Sequence, residues 1–283
     1  CAPAAAAPEA GNWNGAMTDR INPKRRVVSL WFPRFATDRC QRTLKGQLKR
    51  QPRFPGNAAS PEAAFETLFE PALVMAMPEG GAIRLSAVTL AAQKAGLSPG
   101  QTLADARALT PDVAVHDADP SGDATTLERI AGWCGRYTPW TAPSGLETGG
   151  AAGLWLDVSG CAHLFGGEAP MLDDMTTRLA AIGYTARAGL ADTAGAAWAA
   201  ARFGKPGRAR CVIFAPGEHA ARLAPFPNEA LRLSADILDG LERLGLRNVG
   251  DLAALPRAGL ARRFGELPSR RLDQALGRVD EPI

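Results

Sequence analysis

The chain has 283 residues, of which 46% are hydrophobic, and this favours two or three packed units with a sizeable core. No stretch approaches the roughly 18 uninterrupted apolar residues that a membrane-spanning helix needs, so we expect no membrane association. The formal net charge of +3 is unevenly spread: residues 1–53 carry +8, residues 54–201 carry −9 and residues 202–283 carry +4. Basic ends favour a shared nucleic-acid-binding surface, although ordinary solvated faces would give the same pattern.

The spacing of cysteines and histidines argues against metal or disulfide chemistry. The five cysteines are scattered without a CxxC pair, at Cys1, Cys40, Cys134, Cys161 and Cys211. This pattern is typical of a protein in the reducing cytoplasm rather than of a disulfide framework or a zinc site. The histidines are equally isolated, at His116, His163 and His219. We therefore expect no metal site, no histidine-based triad and no cofactor.

Residues 1–26 predict a disordered tail. The segment is rich in Ala, Pro, Gly and Asn and cannot bury enough apolar surface to offset its ordering entropy. A leading Cys1 is also compatible with a secreted lipoprotein, an alternative that requires an export signal upstream of residue 1.

The segment from residue 27 to residue 202 alternates between strand and helix patterns. Short apolar runs bounded by Pro or Gly predict strands at 27–32, 73–77, 82–88, 153–158 and 186–190. Apolar residues at helical spacing predict helices at 36–50, 89–95, 102–109, 123–137, 171–182 and 193–202. A proline-containing loop is expected at 51–61. The alternation predicts an α+β domain with an antiparallel or mixed sheet and helices on one face.

The remaining residues predict a small all-α unit. Three short helices are expected at 235–244, 251–255 and 257–264, each ended by Gly or Pro. Its core is expected to come from Leu238, Leu241, Leu244, Leu246, Val249, Leu252 and Leu255.

Four separated segments, read in order, resemble the Y-family of translesion DNA polymerases. SLWFPRFA at 29–36 stands where the family has a strand ending in Asp-x-Asp, and residues 86–97 stand at its fingers motif. WLDVSG at 155–160 resembles a palm strand, and LGLRNVGDL at 244–252 resembles the thumb. Runs such as LDVSGCAHLFGG and DLAALPRAGLARRFG are similar to the family's catalytically inactive bacterial branch.

The resemblance implies a domain organisation. It places a palm at 27–204, with fingers inserted at about 36–110, followed by a linker at 205–227 and a helix-hairpin-helix-like thumb at 228–283. The family's little finger and C-terminal tail would follow residue 283 and are absent from this sequence.

The departures from the family pattern fall on its metal-binding positions. Polymerases hold two divalent ions on clustered carboxylates, and Mg²⁺ requires oxygen ligands. The first carboxylate pair of the family falls on Leu30 and Phe32, and the second falls on Ala152 and Gly153. Asp157 matches a position after the catalytic pair, so we expect it to have a structural role. The resemblance therefore implies no catalytic residues and no bound metal.

The positions that meet the incoming nucleotide also depart from the family. The fingers Tyr and Arg fall on Leu90 and Gln93, and the Asn-Lys pair of the palm falls on Thr193 and Ala194. Loss at each catalytic element predicts a polymerase-like pseudoenzyme. An active polymerase with displaced metal ligands is the alternative, and it would need two carboxylates converging near the first strand.

DNA contact is expected to remain in the thumb-like unit. A glycine-containing turn can direct backbone N–H groups at a helix N-terminus toward a phosphate, and nearby arginines add positive charge. The candidate DNA-binding residues are Gly245, Arg247, Asn248, Gly250, Arg262 and Arg263. A plain helix-packing unit with a solvated arginine face is the alternative.

The function implied by the resemblance is that of a scaffold in damage-induced translesion synthesis during the SOS response. Such a scaffold binds primer-template DNA weakly and without sequence preference. Its implied protein partners are an error-prone replicative-type DNA polymerase, a RecA-like accessory protein and, through a tail missing here, the sliding clamp.

Overall fold

The computed structural model describes residues 25–50, 72–205 and 210–283. Nearly all of the predicted tail at 1–26, and the predicted loop at 51–61, lie outside the described residues. The strands are β1 (Val27–Phe32), β2 (Leu73–Glu79), β3 (Ala82–Val88), β4 (Ala114–Asp117), β5 (Thr141–Glu147), β6 (Ala151–Asp157), β7 (Arg187–Ala191) and β8 (Cys211–Ile213).

Eleven α-helices accompany these strands within the described ranges. They are α1 (Phe35–Arg50), α2 (Leu90–Lys94), α3 (Leu103–Leu109), α4 (Pro120–Cys134), α5 (Glu168–Ala181), α6 (Ala194–Phe203), α7 (His219–Leu223), α8 (Ala235–Arg243), α9 (Val249–Ala253), α10 (Arg257–Phe264) and α11 (Leu267–Ala275). None of these helices combines the length and apolar character that crossing a bilayer requires.

The larger sheet has five strands in the order β5-β6-β1-β7-β8. Its central strand, β1, pairs antiparallel with both β6 and β7, whereas β7 and β8 are parallel. All of β1 is buried except the half-buried Trp31, which explains its uninterrupted apolar run, since a strand covered on both faces does not alternate. The predicted α+β fold with a mixed sheet is confirmed.

Helices cover both faces of this sheet, whereas the sequence predicted helices on one face only. On the first face, α4 and α5 pack against a core that includes Leu30 and Leu154. On the second face, α6 and the C-terminal helices pack against a core that includes Trp155 and Ala191. α6 packs closely against β7, so that a Cβ at Gly189 of β7 would collide with the backbone of α6. The mostly Ala side chains of α6 also leave room for this close packing.

A smaller three-stranded unit is inserted between α1 and α4. Its sheet has the order β3-β2-β4, and α2 and α3 pack against it around Leu85, Leu97 and Ala106. The fingers were predicted to end near residue 110, but β4 extends this unit to Asp117. The sequence did not predict β4, because its four half-buried to exposed residues, AVHD, carry no strand pattern and depend on parallel pairing with β2.

The segment predicted as a linker, 205–227, is in part regular structure. β8 adds a parallel edge strand to the large sheet through Cys211 and Ile213, and α7 follows it. The described part of this segment therefore contains one short strand and one short helix between irregular stretches. β8 has only three residues, so its pairing with β7, and not a local pattern, makes it a strand.

The C-terminal helices share one core with α6. Leu241, Val249 and Leu252 are buried in it as predicted, but Leu244 is 42% exposed. The predicted self-contained helical core is thus in fact continuous with one face of the large sheet. The structure also adds α11, which the sequence analysis did not predict and whose Leu272 and Ala275 are buried in this core.

Candidate functional site

The four positions where the family carries metal-binding carboxylates lie on two different faces of the large sheet. Leu30, Phe32 and Ala152 are completely buried in the core formed with α4 and α5. A carboxylate at any of these three positions in this backbone would face apolar side chains. Gly153 pairs with Trp31 and lies on the other face.

A guanidinium group stands beside Gly153. A Cβ built at this glycine would lie 3.4 Å from Nη2 of Arg202 and would collide with Oγ of Ser144. Arg202 comes from the C-terminal part of α6, forms an ion pair with Glu147 of β5, and has a side chain only 5% exposed. Gly153, where the family has the second carboxylate of its second pair, is therefore adjacent to a buried cation.

Arg202 belongs to a stack of arginines and tryptophans, the Arg–Trp cluster. Its Cζ lies 4.0 Å from the ring centroid of Trp198 and 5.3 Å from that of Trp31. Arg187 lies 5.6 Å from Trp31, and Arg232 lies 5.8 Å from Trp198. Such cation–π contacts hold guanidinium groups at fixed positions near the aromatic rings.

The Arg–Trp cluster is positively charged at neutral pH. Burial, reinforced by Arg232 and Arg187 and opposed by Glu147, lowers the pKa of Arg202 to about 10, so Arg202 stays protonated near pH 7. Burial also lowers the pKa of Arg187. Several donors in the cluster have no hydrogen-bond acceptor in the described structure, including Nε1 of Trp31 and Nε of Arg187, Arg202 and Arg232.

These residues do not fit a pair of divalent ions. Mg²⁺ needs several oxygen ligands around one point, and a fixed guanidinium repels a cation. Among the described residues, no group of three or more His, Cys, Asp or Glu side chains is placed to hold a metal ion. Asp157 accepts a hydrogen bond from the Ser159 N–H at 3.0 Å and lies 3.4 Å from Arg25.

The positions of the family's nucleotide contacts lie at two helices, α2 and α6. Leu90 is 46% exposed and Gln93 is exposed, both on α2. Thr193 caps α6 by accepting a hydrogen bond from the Ala196 N–H, and Ala194 is buried. A groove of about 360 Å³ between the three-stranded unit and the large sheet is lined by other residues. None of the described residues that line this groove is cationic, so none of them offers a positive charge to a triphosphate.

The three-stranded unit touches the large sheet through a glycine turn at this groove. Gly150 has a φ of 71°, and a Cβ there would collide with Ala87 of β3 and come within 3.0 Å of the Ala36 Cβ. Close contact at this point therefore requires a glycine, both for its backbone conformation and for the space.

The predicted phosphate-binding turn is already saturated with internal hydrogen bonds. The N–H groups of Arg247 and Asn248 donate to Oδ2 of Asp251, at 3.0 and 3.2 Å. The N–H of Gly250 donates to the Ala224 carbonyl at 2.9 Å, and Asn248 caps α9. A phosphate could meet the N–H groups of Arg247 and Asn248 only by displacing the Asp251 carboxylate, so their contact with DNA stays a prediction.

Gly245 ends α8 with a φ of 76°, and its N–H donates to the Glu242 carbonyl at 2.8 Å. Its role is thus to end a helix. The capping-box spacing of Asn248 and Asp251 in the sequence could have signalled the competition for the neighbouring N–H groups.

The arginine side chains of the predicted DNA-binding set remain available. Arg247, Arg262 and Arg263 are exposed and form no ion pair within the described part of the chain. Arg262 and Arg263 lie in the last turn of α10, and Arg263 lies 5.9 Å from the ring of Phe264.

Sequence reasoning missed the Arg–Trp cluster. The spacing of Trp198 and Arg202, four residues apart on one helix, was a local signal for a stacked pair. The approach of Trp31, Arg187 and Arg232 to that pair had no such signal.

Comparisons with known proteins agree with the fold. The impB/mucB/samB family model matches residues 58–202. Protein ImuB of Caulobacter vibrioides is 51% identical over 188 residues, which cover 66% of this chain and 39% of that protein. DNA polymerase IV of Dehalococcoides mccartyi is 27% identical over 216 residues, which cover 76% of this chain and 53% of that protein. The chain thus spans about two fifths to one half of the length of these curated relatives.

Solved structures show the same architecture. DinB from Sulfolobus solfataricus superposes with a TM-score of 0.67 at 16% identity, over 91% of this chain and 69% of that chain. The insertion ternary complex of Dbh DNA polymerase gives 0.66 at the same identity and coverage. The resemblance drawn from the sequence is confirmed: the chain belongs to the impB/mucB/samB family and has the fold of Y-family DNA polymerases.

Proposed function

We propose that this chain is the polymerase-shaped, non-catalytic part of a DNA-binding scaffold for error-prone translesion synthesis. The observation that carries the proposal is the buried guanidinium of Arg202 beside Gly153, where the family pattern has a carboxylate. Two-metal phosphoryl transfer needs oxygen ligands at that point, and Leu30, Phe32 and Ala152 supply none.

The proposed DNA contact is electrostatic. Exposed Arg247, Arg262 and Arg263 would neutralise phosphates, which gives binding that is weak, sensitive to salt and independent of base sequence. In this proposal the palm spans residues 27–204, the fingers extend to about residue 117, and the thumb spans 228–283.

The proposed partners follow from the similarity to the protein named ImuB. We propose a mutasome in the bacterial cytoplasm, assembled after DNA damage in the SOS response. In it, the full-length protein meets an error-prone replicative-type polymerase, a RecA-like accessory protein and the sliding clamp.

Primer extension tests the absence of catalysis. The purified protein should extend no primer on a primer-template duplex with Mg²⁺ or Mn²⁺ and all four nucleotides, whereas an active Y-family polymerase does so in a parallel reaction. Template-dependent extension that copurifies with the protein through repeated chromatography, and is altered by Arg202→Ala, would overturn the proposal.

A further inference from the structure

A groove of about 690 Å³ lies on the side of the large sheet opposite α6. It runs between α1, which contributes Arg42, and α4, which contributes Arg129, Ile130 and Trp133. The turn before β7 closes it with Ile182. Arg129 and Ile130 lie four and three positions before Trp133, so one helix face presents a cation and apolar surface together.

The guanidinium groups along this groove differ in whether they are neutralised. Arg39 donates to Asp123 at 2.5 Å and is paired. Arg42 is exposed, packs over the Tyr184 ring at 4.7 Å and, among the described residues, donates only to the Tyr184 hydroxyl, at 2.9 Å. Arg129 is exposed and has no acidic partner among the described residues. Two exposed cations therefore border the groove without a carboxylate partner in the part of the chain that the structure describes.

Apolar surface lies between these cations. Ile182 is 42% exposed, and Trp133 is half-buried. Arg136 lies 4.5 Å from the Trp133 ring, so a third cation borders the same surface. Arginine pairs with carboxylates through two parallel hydrogen bonds, and its planar group also stacks on aromatic rings.

We propose that this groove docks an acidic segment of a partner protein that carries a large apolar side chain. Carboxylates of the segment pair with Arg42 and Arg129, and the apolar side chain covers Ile182 and Trp133. The inference deepens the proposed scaffold function by naming the surface that receives a partner. The large sheet separates this groove from α10, so DNA and the partner bind on opposite sides.

Charge complementarity favours this occupant. An apolar ligand would leave the two cations unused, and a nucleic acid backbone would leave Ile182 exposed. A symmetric dimer formed through this groove would bring Arg42 and Arg129 of the two copies face to face, and their like charges would oppose it.

Fluorescence polarisation with a short synthetic peptide tests the proposal. The probe carries a Leu-Phe pair flanked by glutamates, and a matched peptide replaces Leu-Phe with Ser-Ser. The protein should bind the first peptide at least fivefold more tightly than the second. The double variant Arg42→Glu with Arg129→Glu should weaken binding by about tenfold, which corresponds to ~1.4 kcal/mol, and Ile182→Ser should weaken it by about threefold.

A charge-matched control is available on the three-stranded unit. Lys94 and Arg107 are exposed on α2 and α3, and replacing both with Glu should leave peptide affinity within twofold of the parent. Thermal melting of each variant checks that it folds. If the double variant does not fold, Arg129→Gln with Ile182→Ser serves in its place.

Three results would overturn the proposal. In the first, the groove variants and the control bind the peptide equally. In the second, duplex DNA displaces the peptide and the groove variants lose DNA affinity in parallel, which makes the groove a nucleic-acid surface. In the third, the peptide binds only after Glu62, Glu66 and Glu70 are replaced by Gln, so an acidic stretch of the same chain competes. None of these results bears on primer extension, so the proposed lack of catalysis is tested separately.

Discussion

Replacing Arg262 and Arg263 together with Ala tests the proposed DNA-binding surface. Both side chains are exposed in the last turn of α10 and make no ion pair in the described structure. If each contacts one phosphate, the slope of log affinity against log salt becomes shallower by about 0.9 per contact, or about 1.8 in all. Between 50 and 200 mM salt, the parent protein should then lose about tenfold more affinity than the variant.

The fold should tolerate this change. A cation in the last turn of a helix gains ~0.3–1 kcal/mol from the helix dipole, so the melting temperature should fall by only a few degrees. Fluorescence anisotropy on primer-template duplexes of unrelated sequence, at several salt concentrations, gives the slopes. Replacing Arg129 and Arg136 with Ala removes the same charge from the opposite side of the sheet and is the matched control. A variant that melts normally and keeps the parental slope would refute the surface.

Two further predictions concern titration and metals. Burial, opposed by the hydrogen bond from the Thr185 N–H at 2.7 Å, raises the pKa of Asp38 from 3.8 to about 6. Protonated Asp38 therefore contributes to the free energy of unfolding, fully below about pH 4, and this contribution is lost as the pH rises through 6. The variant Asp38→Asn cannot ionise, so it should raise the melting temperature at pH 7.5 and remove this pH dependence. A variant whose melting temperature keeps the parental slope between pH 4 and 6 contradicts that assignment. Mg²⁺ and Mn²⁺ should not raise the melting temperature through a saturable site, and stabilisation abolished by Asp157→Ala would show that this aspartate is a ligand.

Strands and helices with their own hydrophobic pattern were predictable from the sequence. β1 is an apolar run closed by Pro33, and β2 and β3 flank the turn at Gly80 and Gly81, so local composition suffices to place them. β5 was missed because it contains Pro143 and Gly145, which are tolerated where the strand forms the sheet edge and bulges. β5 therefore depends on its antiparallel hydrogen bonds to β6 and not on a pattern in its own sequence.

The sequence by itself determined that no carboxylate side chain stands at the family's metal-binding positions, because the side chains of Leu, Phe, Ala and Gly carry no oxygen in any fold. Only the tertiary structure decided what takes their place. Trp31, Arg187 and Arg202 come from three elements that meet only after the sheet forms and α6 packs on it. The N–H of Gly250 likewise finds its acceptor at Ala224, a residue distant in sequence. Whether a cation or an N–H group is free to bind a ligand depends on such long-range partners, and no local pattern encodes them.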